Sequence, residues 1–360
     1  MLIRWVFVLC GFWLIQGVSG QSIAPKYSNE FLTIGVGARA LGMSNAVVSN
    51  VSDVTSTYWN PSGLLDIQEK YQFSFMHSAY FSGIANYDYA GFAIPVDSSS
   101  HLGISVIRFG IDDIPDTRFL YDANGSINYD NIRFFSAADY AFILSYARKV
   151  PILGGLKLGA NFKIIHRTVG DFANAWGFGL DIGAQKSVGK WKFGVVFRDV
   201  TSTFNAWSHN SSLVADVYLQ TGNVVPETSI EITLPRMIGG LSRSFDLFRN
   251  FSVNAALDLE MTFDGKRNVL FKTDIVSVSP LVGIELDYAK MAYLRLGAGQ
   301  FQQVKDFKGE EIMTWQPNFG IGIQLKYFSI DYALTDVGDR AEALYSHVFS
   351  VLVRLNDKKK

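Results

Sequence analysis

From about residue 70 onward the chain alternates apolar and polar side chains with a period of two. That is the pattern of strands with one face in apolar surroundings and the other in polar ones. Leu156, Leu158, Phe162 and Ile164 interleave with Lys157, Asn161 and Lys163. Val253, Ala255, Leu257, Leu259 and Met261 alternate with Asn254, Asp258 and Glu260, and Val282, Ile284, Leu286 and Tyr288 with Glu285 and Asp287. The same reading predicts strands near 71–80, 84–94, 101–110, 139–149, 154–167, 174–186, 190–199, 232–244, 250–261, 280–288, 291–301, 316–325, 326–335 and 344–355, about fourteen in all.

The connections carry more information than the count. Every long one, at 111–138, 200–231, 262–279 and 302–315, is odd-numbered in the series, so the long loops all leave from one rim. An even number of strands, with short turns on one side and long loops on the other, describes a bacterial outer-membrane barrel with periplasmic turns and extracellular loops. The predicted fold is therefore all-β: a transmembrane antiparallel barrel over residues 71–355 in the outer membrane. Lipid reverses the usual assignment of faces, with the apolar face outward and the polar face lining the lumen. Parity then turns Leu156, Leu257, Ile284 and Leu294 to lipid and Lys163, Asp181, Asp258, Glu260, Glu285, Asp287, Arg295 and Asp331 to the lumen. Their mixed signs predict a polar lattice of cross-strand ion pairs rather than a selective ring. Tyr80, Tyr87, Tyr89, Trp191, Tyr288, Tyr293 and Tyr327 lie near strand ends, where interfacial aromatic girdles are expected.

Composition narrows the remaining choices. The 360 residues are 48% hydrophobic and 18% charged, so the chain is not disordered, and 32 basic against 33 acidic side chains leave no surplus for binding nucleic acid. No run beyond the first twenty residues is long and apolar enough for a membrane helix. Met1 to Gly20 reads as a signal peptide: Arg4, an apolar stretch from Trp5 to Ile15, then Val18-Ser19-Gly20 before Gln21. Cleavage there removes Cys10, the only cysteine, and with it any disulfide or thiolate metal site. Residues 356–360, ending in three lysines, form a basic tail. His77, His101, His166, His209 and His347 join no nucleophile elbow, phosphate loop or metal-ligand spacing, and the aspartates at 112, 113, 116, 122 and 130 lack a calcium-loop pattern. The expectation is a protein that is not an enzyme and uses no cofactor or metal.

Residues 21–70 do not alternate. They contain Phe31-Leu32-Thr33-Ile34-Gly35-Val36-Gly37-Ala38-Arg39-Ala40-Leu41-Gly42-Met43-Ser44-Asn45-Ala46 and, further on, Tyr58-Trp59-Asn60-Pro61-Ser62-Gly63-Leu64. Asp53 is placed to cap a short helix running to Trp59, and Asn60 with Pro61 to start another turn. Gly35, Gly37 and Gly42 permit close backbone passage. A compact, small-residue element just before the first strand predicts a helical hatch or plug, with Gly35, Gly37, Ala38, Arg39, Ala40, Leu41, Gly42, Asn60, Pro61 and Gly63 as its motif residues.

These two runs resemble the N-terminal signature of the PorV/PorQ family of outer-membrane proteins, which is similar in turn to the FadL long-chain fatty acid transporters with their fourteen-stranded barrel and N-terminal hatch. The resemblance covers residues 31–65. It implies a non-enzymatic part in type IX secretion, with translocon or attachment-complex components, or the C-terminal domains of secreted cargo, as partners. The alternative is a FadL-like passage for a hydrophobic small molecule. Outer-membrane lipid would surround the barrel in either case, and no nucleic acid is involved.

Overall fold

The computed structural model describes residues 28–356, apart from 81–82, 152–153, 223, 225–227, 306–307 and 336–345. The predicted signal peptide and the final lysines lie outside the described residues. In chain order the strands are β1 (Tyr71–Tyr80), β2 (Ala85–Pro95), β3 (Ser100–Asp116), β4 (Arg133–Val150), β5 (Leu156–Val169), β6 (Ala173–Val188), β7 (Trp191–Arg198), β8 (Phe204–His209), β9 (Ser229–Ile232), β10 (Arg236–Asp246), β11 (Phe251–Thr262), β12 (Phe271–Lys272), β13 (Ser277–Tyr288), β14 (Ala292–Lys305), β15 (Glu311–Gln324), β16 (Phe328–Thr335) and β17 (Ser346–Leu355). β1 pairs antiparallel with both β2 and β17, which closes the sheet. Among the described residues the barrel has fourteen staves, each at a predicted strand. β8 continues the stave of β7, β9 leads into β10, and β12 is a short addition beside β13.

Alternation sorts the side chains as lipid demands. Leu257, Ile284, Leu294 and Ile321 are exposed on the outside, whereas Lys163, Asp181, Asp258, Glu285 and Arg295 are buried in the lumen. Trp191, Tyr288 and Tyr327 are exposed, as a girdle requires. Tyr80, Tyr87 and Tyr89 are not girdle residues: all three are buried inside, where Tyr80 packs edge-on against Tyr87 and the Tyr89 hydroxyl donates to the Val54 carbonyl at 3.1 Å. Their parity places them on the inner face, and aromatic content near a strand end does not override parity. β3 and β4 outrun their predicted lengths because they go on pairing through polar residues, with a bulge at Asp113. Strands that rise into water no longer need an apolar face.

One stave is broken near mid-height. Between the pairs Arg198–Arg236 and Phe204–Ile232, residues 199–203 face only 233–235, and Asp199 and Ser202 have left-handed backbone. Val200 N–H still donates to the Leu180 carbonyl and Thr233 N–H to the Thr203 carbonyl, so the wall stays closed while its regular ladder is lost.

Residues 28–67 fold inside this wall. Short 3-10 turns at Glu30–Thr33 and Pro61–Asp66 flank helices at Ala38–Gly42 and Ser56–Trp59. Val36, Val47, Val48, Val51, Val54 and Leu64 are fully buried, each stabilising by about 1.5–3 kcal/mol. Asn60 caps the Pro61 turn through Ser62 N–H, as its spacing predicts. Asp53 instead accepts from Thr55 N–H at 2.8 Å, securing the turn that leads into the helix, which has no side-chain cap of its own.

The fit between hatch and wall depends on wall glycines that face inward. A Cβ at Gly159 would strike Pro61 and Ser62, at Gly183 the Asn60 amide, and at Gly194 Val48 and Ser49. One at Gly283 or Gly297 would strike Met43, and one at Gly320 would press on Gly42. Glycine on the strands thus makes a belt into which the hatch backbone fits.

Candidate functional site

Above the hatch, toward the long-loop rim, the lumen opens into a chamber of about 750 Å³. Its floor is the hatch itself: Phe31, Ile34, Leu41, Tyr58 and Trp59. Tyr80, Phe109, Ile238, Leu281 and Phe301 contribute apolar wall. Below the hatch, the gap lined by Gly37, Arg39, Asp53 and Asp331 is about 30 Å³, room for little more than a water molecule. The hatch therefore separates a chamber of mixed lining, with an aromatic floor and polar walls, from the periplasmic side.

Three guanidinium groups line the chamber. Arg236 Nη1 meets Glu260 Oε1 at 2.9 Å, and Arg267 Nη2 meets Asp264 Oδ2 at 2.6 Å. Partial burial pushes the Asp264 carboxyl up, but Arg267 beside it holds it below its ordinary range. Arg198 differs. It is 5% exposed, lies over the Tyr58 ring at 4.4 Å, and donates through Nη2 to the Tyr58 carbonyl at 3.1 Å, while its Nε has no hydrogen-bond partner. Among the described residues no carboxylate lies within ion-pair distance of it. Tyr58 and Trp59 are themselves pinned, the Tyr58 hydroxyl donating to the Leu32 carbonyl at 2.5 Å and Trp59 Nε1 to the Val36 carbonyl at 2.8 Å.

No family model matches the sequence, and no curated protein matches it. Solved structures do resemble its fold. The toluene transporter TodX of P. putida superposes with a TM-score of 0.56 at 13% identity, over 90% of this chain and 99% of that one. The Ralstonia pickettii toluene transporter TbuX gives 0.52 at 14%, over 89% and 99%. A Pseudomonas aeruginosa FadL homologue gives 0.51 at 11%, over 88% and 97%. The fold is that of the FadL-type barrels. The chain forms a closed fourteen-stranded barrel of the bacterial outer membrane. At such identities the likeness is one of fold, and the PorV/PorQ resemblance rests on residues 31–65 alone.

Within the FadL-type fold, the motif residues sit where hatch meets wall. Gly35 and Gly37 have φ of +100° and +86°, and a Cβ at Gly63 would strike the Val51 carbonyl. Ala38 N–H donates to Ser350 Oγ at 3.0 Å, while Ala40 and Leu41 are buried against the wall. Arg39 reaches Glu285 through Nε and Nη2, both at 3.0 Å. Burial by itself lowers the Arg39 pKa, but Glu285 outweighs it and keeps the group charged. Asn60 Nδ2 donates to the Val48 carbonyl at 3.0 Å and the Ala184 carbonyl at 3.2 Å, while Oδ1 accepts from Ser62 Oγ at 2.7 Å. Asn60→Ala removes the hydrogen bond that ties the hatch to the wall at Ala184, while the Val48 carbonyl keeps Gln185 Nε2 at 3.0 Å, so the cost is about 1–3 kcal/mol in all. Faster amide exchange in residues 43–64, with the wall strands still protected, is the expected result; uniform protection would sink it.

Six of the eight lattice residues assemble in three groups. Glu285 meets Arg295 at 2.6 Å, and Arg295 meets Asp331 at 2.6 Å. Lys163 meets Asp181 at 2.7 Å and also binds Asp199 beside the broken stave. Glu260 belongs to the chamber through Arg236. Asp258 pairs with no cation among the described residues and accepts from the hatch at Val48 N–H, 2.8 Å away. Asp287 lies apart at the periplasmic end, bonded to Ser252.

Sequence reasoning missed Arg198, Arg236 and the aromatic floor. Arg198 lies on the inner parity of a predicted strand, but nothing local shows that its neighbours lack a carboxylate.

Proposed function

We propose that this protein takes a hydrophobic small molecule with an anionic end into the chamber above the hatch, as the first step of passage across the outer membrane. The observation that carries the reading is Arg198: a buried guanidinium with a free donor, set beside the aromatic floor of the chamber. A buried charge without a counter-charge is costly, and a ligand carboxylate or phosphate would relieve it while the apolar tail filled the rest. The fold neighbours described as toluene transporters and hydrocarbon channels support a hydrophobic cargo. The three arginines favour one that also carries charge.

The test compares decanoate with decanol, equal in chain and different in charge. Decanoate should bind the purified barrel more tightly, read from Trp59 fluorescence. Arg198→Gln should weaken decanoate by about tenfold or more, the worth of a charge-assisted hydrogen bond, and leave decanol unchanged. Equal binding of the two by the wild type counts against the reading.

A second reading, attachment to type IX secretion components or cargo, draws on the loops. Tyr121, Tyr129, Phe271 and Ile275 are exposed there, a density of apolar side chains suited to a protein partner. Recovery of secretion components with the tagged protein, and loss of secretion on deletion, would favour it.

A further inference from the structure

The apolar band that the barrel turns to the membrane is not equally tall all round. On β11 the outward residues Phe251, Val253, Ala255, Leu257, Leu259 and Met261, with Phe263 just beyond, are all apolar. At a rise of about 3.3 Å per residue and a tilt of about 40°, that run spans about 30 Å. On β1 the outward run of Tyr71, Phe73 and Phe75 ends at His77. On β2, Ile94, Phe92 and Ala90 give way to Asp88, and on β3 Leu102, Ile104 and Val106 give way to Arg108. Measured the same way, the runs span about 10 Å on β1 and β3 and about 15 Å on β2 when Val96 just beyond it is counted, against the band of about 25 Å that outer-membrane barrels present to lipid.

The three polar residues are cross-strand partners. His77 lies opposite Asp88, and Asp88 opposite Arg108. His77 Nδ1 is 2.7 Å from Asp88 Oδ1; Arg108 lies 3.7 Å from Asp88 and 3.3 Å from Asp112. The His77 side chain is 60% exposed and that of Asp88 41%. On the other flank, His347 Nδ1 meets the Tyr332 hydroxyl at 2.6 Å on the same outer face. Counted in residues from the periplasmic end of each strand, the polar ladder thus lies where β11 across the barrel is still apolar. Charge on a lipid-facing strand is the more destabilising the deeper it lies.

We propose that the wall formed by β17, β1, β2 and β3 is a thinned-membrane face, where the outer-leaflet surface descends and phosphate-bearing lipid headgroups, with their water, meet the His77–Asp88–Arg108 ladder. Lipid is the occupant because the ladder's charges are of both signs and paired among themselves. What they require is a hydrated ionic medium, not one complementary charge. Phe75, Ile104 and Phe349 are exposed on the same wall as contacts for acyl chains. Only residues 81–84 join β1 to β2, too short a connection to reach down over the ladder. A bilayer adjusts to such a mismatch by thinning locally.

The experiment measures urea unfolding of the full barrel folded into vesicles of dilauroyl- or dieicosenoyl-phosphatidylcholine. The wild type should be more stable in the thin bilayer. The variant His77→Leu with Asp88→Leu and Arg108→Leu should gain about tenfold or more in its folded-to-unfolded ratio in the thick bilayer, and no more than about threefold in the thin one. An equal gain in both, or a wild type indifferent to thickness, overturns the proposal. A photoreactive phenylalanine at position 88 supplies a readout that needs no leucine variant. In native outer membranes it should label lipid, as should a control at Leu257. A protein adduct at 88 without lipid would overturn the proposal in favour of a neighbour in the membrane plane.

Discussion

Replacing Gly194 and Gly297 together by leucine is expected to unseat the hatch and leave the barrel as an open pore. A side chain at Gly194 would drive into Val48 and Ser49, and one at Gly297 into Met43 and Ser44. All four of these residues present backbone atoms of the hatch, which cannot rotate aside. The strands themselves lose nothing, since neither glycine has positive φ and the ladder bonds of β7 and β14 are made by main chain. What remains is a lumen as wide as fourteen strands allow, without its stopper. Single-channel conductance in planar bilayers should rise on the order of tenfold or more, and cells should become sensitive to large antibiotics that the outer membrane normally excludes. Gly239→Leu is the control, because Gly239 faces outward and has only the Met261 side chain within 4 Å of an added Cβ, at 3.9 Å. A double variant that stayed closed would show that the belt does not set the seat.

The second large effect is expected at Lys163. Its ammonium is buried between Asp181, at 2.7 Å, and Asp199, and all three side chains are almost wholly removed from solvent. Asp181 also accepts from Asp199 N–H at 2.9 Å, and Asp199 from Thr203 Oγ1 at 2.6 Å, so the group holds the broken stave in place. Lys163→Met keeps the volume but leaves two carboxylates facing each other without a counter-charge, a loss of about 3–5 kcal/mol. Urea unfolding in lipid vesicles should record that loss, and amide exchange at 199–203 should accelerate. Adding Asp181→Asn and Asp199→Asn to Lys163→Met should restore most of the stability, since the penalty comes from unpaired charge rather than lost packing. If the triple variant is no more stable than Lys163→Met, the ion group is not what holds the stave.

Strand positions and facing were legible because the signal is local. A residue two places along points to the same side whatever the rest of the chain does, so Asp258 and Leu257 could be sorted without knowing their neighbours. The same rule places Tyr87 inside, and the girdle expectation fails because proximity to a strand end does not set which face a side chain takes. The upper parts of β3 and β4 escaped notice for the opposite reason: above the membrane, water removes the need for an apolar face, and the alternation fades while the pairing continues.

The candidate site was much less legible. Asn60 and Gly63 could be singled out in the hatch, but Gly183, which leaves room for the Asn60 amide, is one of 32 glycines with nothing local to distinguish it. Arg198 reads as one more inward-facing cation until the folded lumen leaves it without a carboxylate. The sequence by itself determined the barrel, its inner and outer faces, the rim that carries the long loops and the presence of a compact segment ahead of the first strand. All of these follow from periods and lengths that repeat along the chain. Only the tertiary structure decided which lattice charges meet, how the hatch seats on the glycine belt and where a guanidinium without a carboxylate partner meets the aromatic floor of the chamber. Those depend on barrel closure, which brings Gly42 against Gly320 and Val48 against Asp258 across more than half the chain.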